Sequence, residues 1–333
     1  MSLKHFFTCM ALATLFAAAP AFAAPFGYIA DRLPNRIAVV DLATHSLEAE
    51  LTPGFIALGQ PAVTPDGTRL YIATIVPRQV VVIDTEVGSP TVNTVIDTVS
   101  IADVPHGVAM AADGSRAYVT VTDGGPNGRV EVIDTRLGSP TYHTFLETEK
   151  IGLTTAPLSP EKLEVTPDGR HLYVGSRQID LLRGGAFDYV SVFDLLTAQE
   201  VGAVKIPLGG RWTRFAFGPG GTRCYVARWS LNEVLVIEGP PNFRIVDRFS
   251  LSTDMPSDPV LSPDGSTLYV SDSDADLVTK IDVDPASPDY GGVETLAVGP
   301  NPPRLAFAPD ALELYVVSDG HIHFAHGASV NES

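Results

Sequence analysis

The segment PDGTRLYIAT, residues 65–74, decides the fold, because it returns along the chain with one grammar. The copies are ADGSRAYVTV (112–121), PDGRHLYVGS (167–176), PGGTRCYVAR (219–228), PDGSTLYVSD (263–272) and PDALELYVVS (309–318). Tyr28 in GYIAD begins a further copy without its head. The repeat tyrosines, at 28, 71, 118, 173, 225, 269 and 315, are spaced by 43 to 55 residues. A second phrase follows each of the first six: IAVVDL (37–42), VVVIDT (80–85), VEVIDT (130–135), VSVFDL (190–195), VLVIEG (234–239) and VTKIDV (278–283). Alternation rich in β-branched and aromatic residues marks strands, and Pro-Asp-Gly marks the tight turn between two of them. Proline presets φ, aspartate accepts backbone hydrogen bonds, and glycine takes positive φ at little cost.

Each unit therefore reads as four strands: one before the turn, one around the tyrosine, one at the VxVID phrase, and a fourth such as NTVIDTVSI (93–101). Four strands every 40–55 residues or so describe a β-propeller blade. The repeats resemble the YVTN family of β-propellers, and the likeness runs over nearly the whole chain after its first residues. They lack the Gly-His and Trp-Asp pairs of WD40 blades. The resemblance implies a radial, extracytoplasmic propeller, related more distantly to lactonase and quinoprotein-dehydrogenase propellers. The expected fold is all-β with seven four-stranded blades; six blades plus an extra hairpin is the alternative. The first copy lacks an inner strand and the last lacks an outer one.

Residues 1–23 read as a secretory leader: Lys4, an apolar stretch from Phe6 to Ala19, and Ala21-Phe22-Ala23 as an A-x-A cleavage site. One propeller domain is expected over 24–326, with 327–333 as a tail. The stretch falls short of the roughly 20 apolar residues of a membrane span. Cleavage leaves Cys224 as the sole cysteine, a buried strand residue with no partner for a disulfide. The full chain of 333 residues carries 22 basic against 39 acidic side chains, a net charge of −17. That balance argues against a nucleic-acid binder, which needs a basic patch to track phosphates, and against anionic lipid.

The candidate site follows from offsets. Each inner strand leaves the face to which the loop after the tyrosine strand returns. Counting back from the turn puts Gln60, Gly107 beside His106, Lys162 beside Glu161, Arg214 beside Thr213, Asp258 beside Ser257, and Arg304 beside Pro303 at one height, around the mouth of the axial channel. Lys162, Arg214 and Arg304 are cations able to fork a carboxylate or phosphate, so a small anionic ligand is expected at Gln60, His106, Lys162, Arg214, Asp258 and Arg304. The rival expectation is salt bridging with Glu161 and Asp258 between blades. Glu164 stands where other copies have alanine or valine; with Glu161 and His106 it is a candidate acid or base. Two insertions in the third full copy, about 148–161 and 178–188, lie on the same face.

His321, His323 and His326 form a candidate Zn or Cu set, since residues two apart on a strand share a face. Asp272, Asp274 and Asp276 begin like a calcium loop, but Leu277 stands where glycine is needed and no glutamate closes it. No cofactor is clearly encoded, and serine elbows, phosphate loops and haem sites are absent. The expected role is a periplasmic or secreted scaffold that binds a ligand or another envelope protein. A lactonase-like or quinoprotein-dehydrogenase-like enzyme and a structural envelope protein are the alternatives.

Overall fold

A computed structural model describes residues 8–12 and 26–332, apart from 34–35, 43, 45, 53, 58–60, 124–127, 147–150, 153–158, 181–184, 207–211, 254, 273, 299–303, 308–312, 319–320 and 327–328. Every strand pairing is antiparallel and follows chain order, and the described residues hold no helix beyond two 3₁₀ turns, Pro219–Gly221 and Trp229–Leu231. The all-β propeller expected from the repeats is formed. The count of seven four-stranded blades is corrected: six sheets are four-stranded, and the second sheet in chain order has five strands. Its inner strand is broken into Ile56–Ala57 and Ala62–Val63, both pairing with Arg69–Val76. The two strands missing from the repeat count are supplied by Thr8–Leu12 and Ser329–Glu332, at the inner edge of the first blade and the outer edge of the last. Thr8–Leu12 lies inside the stretch read as a leader.

The repeat tyrosines are the spine of the packing. Tyr28, Tyr71, Tyr118, Tyr173, Tyr225 and Tyr315 are buried, and Tyr269 is half-buried. Each apolar cluster joins two neighbouring sheets: Tyr71, Val80 and Val82 pack with Ala117, Val119 and Ile133, for example. Burial of a valine or leucine side chain contributes about 1.5–3 kcal/mol, so these radial clusters are the main source of cohesion. The hydroxyl ends cross from sheet to sheet. Tyr28 donates to Asn93 Oδ1 at 3.1 Å, and Tyr315 in the last blade donates to the Leu42 carbonyl in the first at 2.9 Å, which closes the ring. Tyr71 meets His143 Nε2 at 2.8 Å, while His143 Nδ1 lies 2.5 Å from Asp97 Oδ2.

The Pro-Asp-Gly turns have a second task beyond reversing the chain. In the second sheet, Asp66 Oδ1 accepts the Thr64 hydroxyl at 2.6 Å and the Thr68 N–H at 3.0 Å, which pins the turn. The glycines then let successive turns stack. A Cβ on Gly169 would lie 2.8 Å from Ala112 Cβ, and one on Gly265 2.7 Å from the Pro219 ring, with φ of +70° and +77° at the two glycines. The turns of the second to sixth sheets thus pack into a contiguous row at one end of the molecule. The other end, where inner strands begin, carries the polar residues.

Candidate functional site

Three described sheets meet through one carboxylate at the mouth end. Asp258 on strand Pro256–Leu261 is completely buried. Its Oδ2 accepts the Leu305 N–H of the last blade at 2.9 Å and stands 3.5 Å from Arg214 Nη1 of the fifth sheet. Its own N–H donates to Ser271 Oγ at 3.1 Å, and that hydroxyl also meets Ser257 Oγ at 2.9 Å. A register shift between Pro256 and Pro259 makes this geometry, because it turns Asp258 out of strict alternation with the tyrosine strand. Similar shifts occur between Pro105 and Gly107, Pro160 and Lys162, and Trp212 and Phe215. The mouth positions of these four sheets therefore sit on equivalent bulges, which is why equal sequence offsets select them.

His106 is half-buried, with Nε2 2.9 Å from Thr122 Oγ1. Burial pushes its imidazole below the usual histidine range; Glu161 opposes that shift and Lys162 adds to it. The three groups thus share one corner of the mouth, and His106 is neutral at pH 7. The adjacent Gly107 N–H donates to Thr120 Oγ1 at 3.1 Å, and a Cβ at Gly107 would fall 2.9 Å from Leu163. Glu161 is exposed and Lys162 half-buried.

Glu164 is buried, opposite Tyr173 in the fourth blade. Tyr173, Val190 and Val192 pack on Cys224 and Val226 of the next blade, so Glu164 faces that seam. Its charge adds to the effect of burial in raising the Cys224 thiol. Glu164 is engaged with a neighbour rather than isolated, and it lies in the blade seam rather than on the ring of bulges. Cys224 is completely buried and unpaired, as the strand reading expects. Gln60 lies outside the described residues, as do the side chains of Arg304, His321, His323 and His326. The three histidines fall on strand His321–His326, where His321 and His323 share a parity and His326 does not. No group of three or more His, Cys, Asp or Glu able to hold a metal occurs among the described residues.

One feature was not singled out from the sequence. The column three residues beyond the repeat tyrosine holds Asp31, Thr74, Val121, Ser176, Arg228, Asp272 and Ser318. There Arg228 is 1% exposed and paired with Glu233, and Asp272 is 1% exposed with Oδ1 accepting the Ala275 N–H at 2.9 Å. Burial raises the Asp272 carboxyl above its usual range. The same-register ends of the YVxx phrases carry that signal, since a core column has no need of charge. Asp274 and Asp276 are exposed, so the three aspartates do not share one environment. The insertion at 178–188, already marked in the sequence, extends two paired strands. His171–Asp180 and Gly185–Asp194 pair over ten residues each, up to Asp180 opposite Gly185, so the fourth blade rises above its neighbours on the mouth face. Arg177 and the buried Asp188 stand 3.6 Å apart at its base.

Radial four-stranded sheets, a ring closed from last to first, and a polar mouth define a β-propeller. Its fold is similar to that of Kuenenia stuttgartiensis hydrazine synthase, at a TM-score of 0.74 and 21% identity over 91% of this chain and 93% of that one. It is also similar to the β-propeller domain of Myceliophteria thermophila Cps50 (Swd1), at a TM-score of 0.68 and 13% identity over 98% of each chain. At these identities the likeness is one of fold alone. No protein-family model matches the chain, and no curated protein matches it in sequence.

Proposed function

We propose that the chain is an exported binding scaffold of YVTN type that holds a small polar ligand at its channel mouth. Asp258 carries the reading. It is 0% exposed, and among the described residues its Oδ1 has no hydrogen-bond partner, while Oδ2 is held by Leu305 and Arg214. A buried acceptor left without a donor costs about 1–3 kcal/mol, so a donor brought by a ligand is favoured at this point. Arg214, 3.5 Å from Asp258 Oδ2, adds positive charge at the same point. A ligand that places an anionic group beside a hydroxyl or an ammonium meets both, and an acceptor-only anion leaves Asp258 unmet. The anionic ligand expected from the sequence is thereby narrowed to one that also donates. His106, Glu161 and Lys162 supply further polar contacts at the rim, beneath the raised hairpin of the fourth blade.

Titration calorimetry of the full chain with inorganic phosphate, a dicarboxylate, a hydroxy acid and an amino acid tests the reading. Binding of a donor-bearing anion, weakened in Asp258→Asn, supports it. Equal binding by Asp258→Asn, or no binding across the panel, refutes it. Export rests on the leader over residues 1–23. Its removal takes Thr8–Leu12 from the first blade and leaves Phe26–Leu33 at that blade's inner edge. The mass of the protein recovered from the periplasm or medium decides whether cleavage follows Ala23.

A further inference from the structure

The face opposite the mouth displays apolar residues in an ordered way. Leu196 is 94% exposed, Leu137 79% and Val87 59%, the three highest values among the large apolar residues described. All three follow the aspartate that ends the VxVID phrase, in the turns between third and fourth strands of three consecutive sheets. Those turns are rigid. Asp84 accepts the Glu86 N–H at 3.0 Å and the Ser89 and Thr91 hydroxyls at 2.5 Å, and Asp134 repeats the pattern with Arg136, Ser139 and Thr141. In the fourth blade, Asp194 accepts the Leu196 and Thr197 N–H groups at 3.0 and 2.9 Å. Side chains offered on pinned turns lose little entropy when they dock.

We propose that this turn face is a docking surface for a basic protein partner, with Val87, Leu137 and Leu196 as its apolar anchors. Charge selects the partner. The exposed carboxylates Asp66, Asp113 and Asp168 lie on the reversing turns of the same three sheets. Hydrogen bonds from Thr64 and Thr68 hold Asp66 below the usual carboxylate range against the opposing effect of burial, and those from Ser115 do the same for Asp113, so both stay ionised in mild acid. Arg136, beside Leu137, is bound to Asp134 at 2.8 Å, which leaves Arg170 as the nearby counter-charge. A second copy would bring the same acidic face, and an anionic bilayer would be repelled by it. A partner with lysine or arginine around apolar depressions meets both the charge and the knobs.

The surface is independent of the mouth, so failure of either reading leaves the other standing. The probe is a synthetic amphipathic peptide of leucine and lysine, measured by fluorescence anisotropy against the full chain. Wild type is expected to bind it in a salt-sensitive manner. The triple variant Val87→Ser, Leu137→Ser, Leu196→Ser is expected to bind about tenfold or more weakly at unchanged Tm, since such tips bury almost nothing in the fold. Val246→Ser with Val293→Ser, on outer strands, is expected to bind as wild type. Equal affinity of the triple variant, equal binding of a peptide with glutamate for lysine, or wild-type dimers or phosphatidylcholine binding abolished by the triple variant would each overturn the proposal.

Discussion

Replacing Arg214 by alanine tests whether the mouth is held together by charge. Arg214 is 5% exposed and Asp258 0%, so the substitution leaves a buried carboxylate without its neighbouring cation. Truncating one partner of a buried ion pair costs about 3–5 kcal/mol, mostly from the charge left behind. Unfolding entropy near 2.1 cal/mol/K per residue over a chain of 333 residues turns that loss into a fall in Tm of roughly 4–7 °C. The sequence offset alone suggests a mouth residue that can be truncated without harm; its burial reverses that expectation. Asp258→Asn keeps an acceptor for Leu305 N–H, so the pair Arg214→Met, Asp258→Asn should recover most of the loss. Differential scanning calorimetry of wild type, Arg214→Ala, Arg214→Met, Asp258→Asn and the double variant measures the coupling. A fall below about 1 °C for Arg214→Ala, or additive effects in the double variant, would refute a structural ion pair here.

Tyr71→Phe removes the hydroxyl that His143 Nε2 meets and should cost about 1–2 kcal/mol in denaturant unfolding. Tyr173→Phe should be nearly neutral, because the Tyr173 hydroxyl has no partner among the described residues. Gly169→Ala combines positive φ with a 2.8 Å clash against Ala112 and should destabilise by about 2 kcal/mol or more, whereas Gly88→Ala, with open space around it, should lose only about 1 kcal/mol from backbone strain. Arg136 first, then the Ser139 and Thr141 hydroxyls, hold the Asp134 carboxyl far below its usual range against the effect of burial. The stability it contributes is therefore complete above pH 4 or so and lost as the pH falls further. Asp134→Asn should flatten the acid limb of a Tm-against-pH curve, and an unchanged limb would count against the assignment.

The fold was legible because its signals are local. Turn chemistry at Asp66 and Gly67, alternation around Tyr71 and the VVVID phrase all act within a dozen residues, and they repeat. Four of the sequence offsets, at His106, Lys162, Arg214 and Asp258, coincide with register shifts in the inner strands. Their partnerships were not legible. Leu305 reaches Asp258 across 47 residues, and His143 reaches Tyr71 across 72. Such spacings depend on how far each sheet rotates about the axis, which no local pattern encodes. The sequence offsets set Glu164 in a different register from Asp258, but not what each side chain meets: a seam for Glu164, and the Leu305 N–H of the next blade for Asp258.

The sequence by itself therefore determined a repeated, all-β unit, its reversing turns and its buried tyrosine, since these depend on backbone preference and two-residue alternation. Tertiary structure alone decided the blade count, with its split inner strand in the second sheet and its terminal strands in the first and last. It also decided which mouth charges are spent on one another and which apolar turn tips are left in solvent. Those outcomes follow from radial packing, where each sheet's neighbour, and not its own sequence, sets what is buried and what is paired.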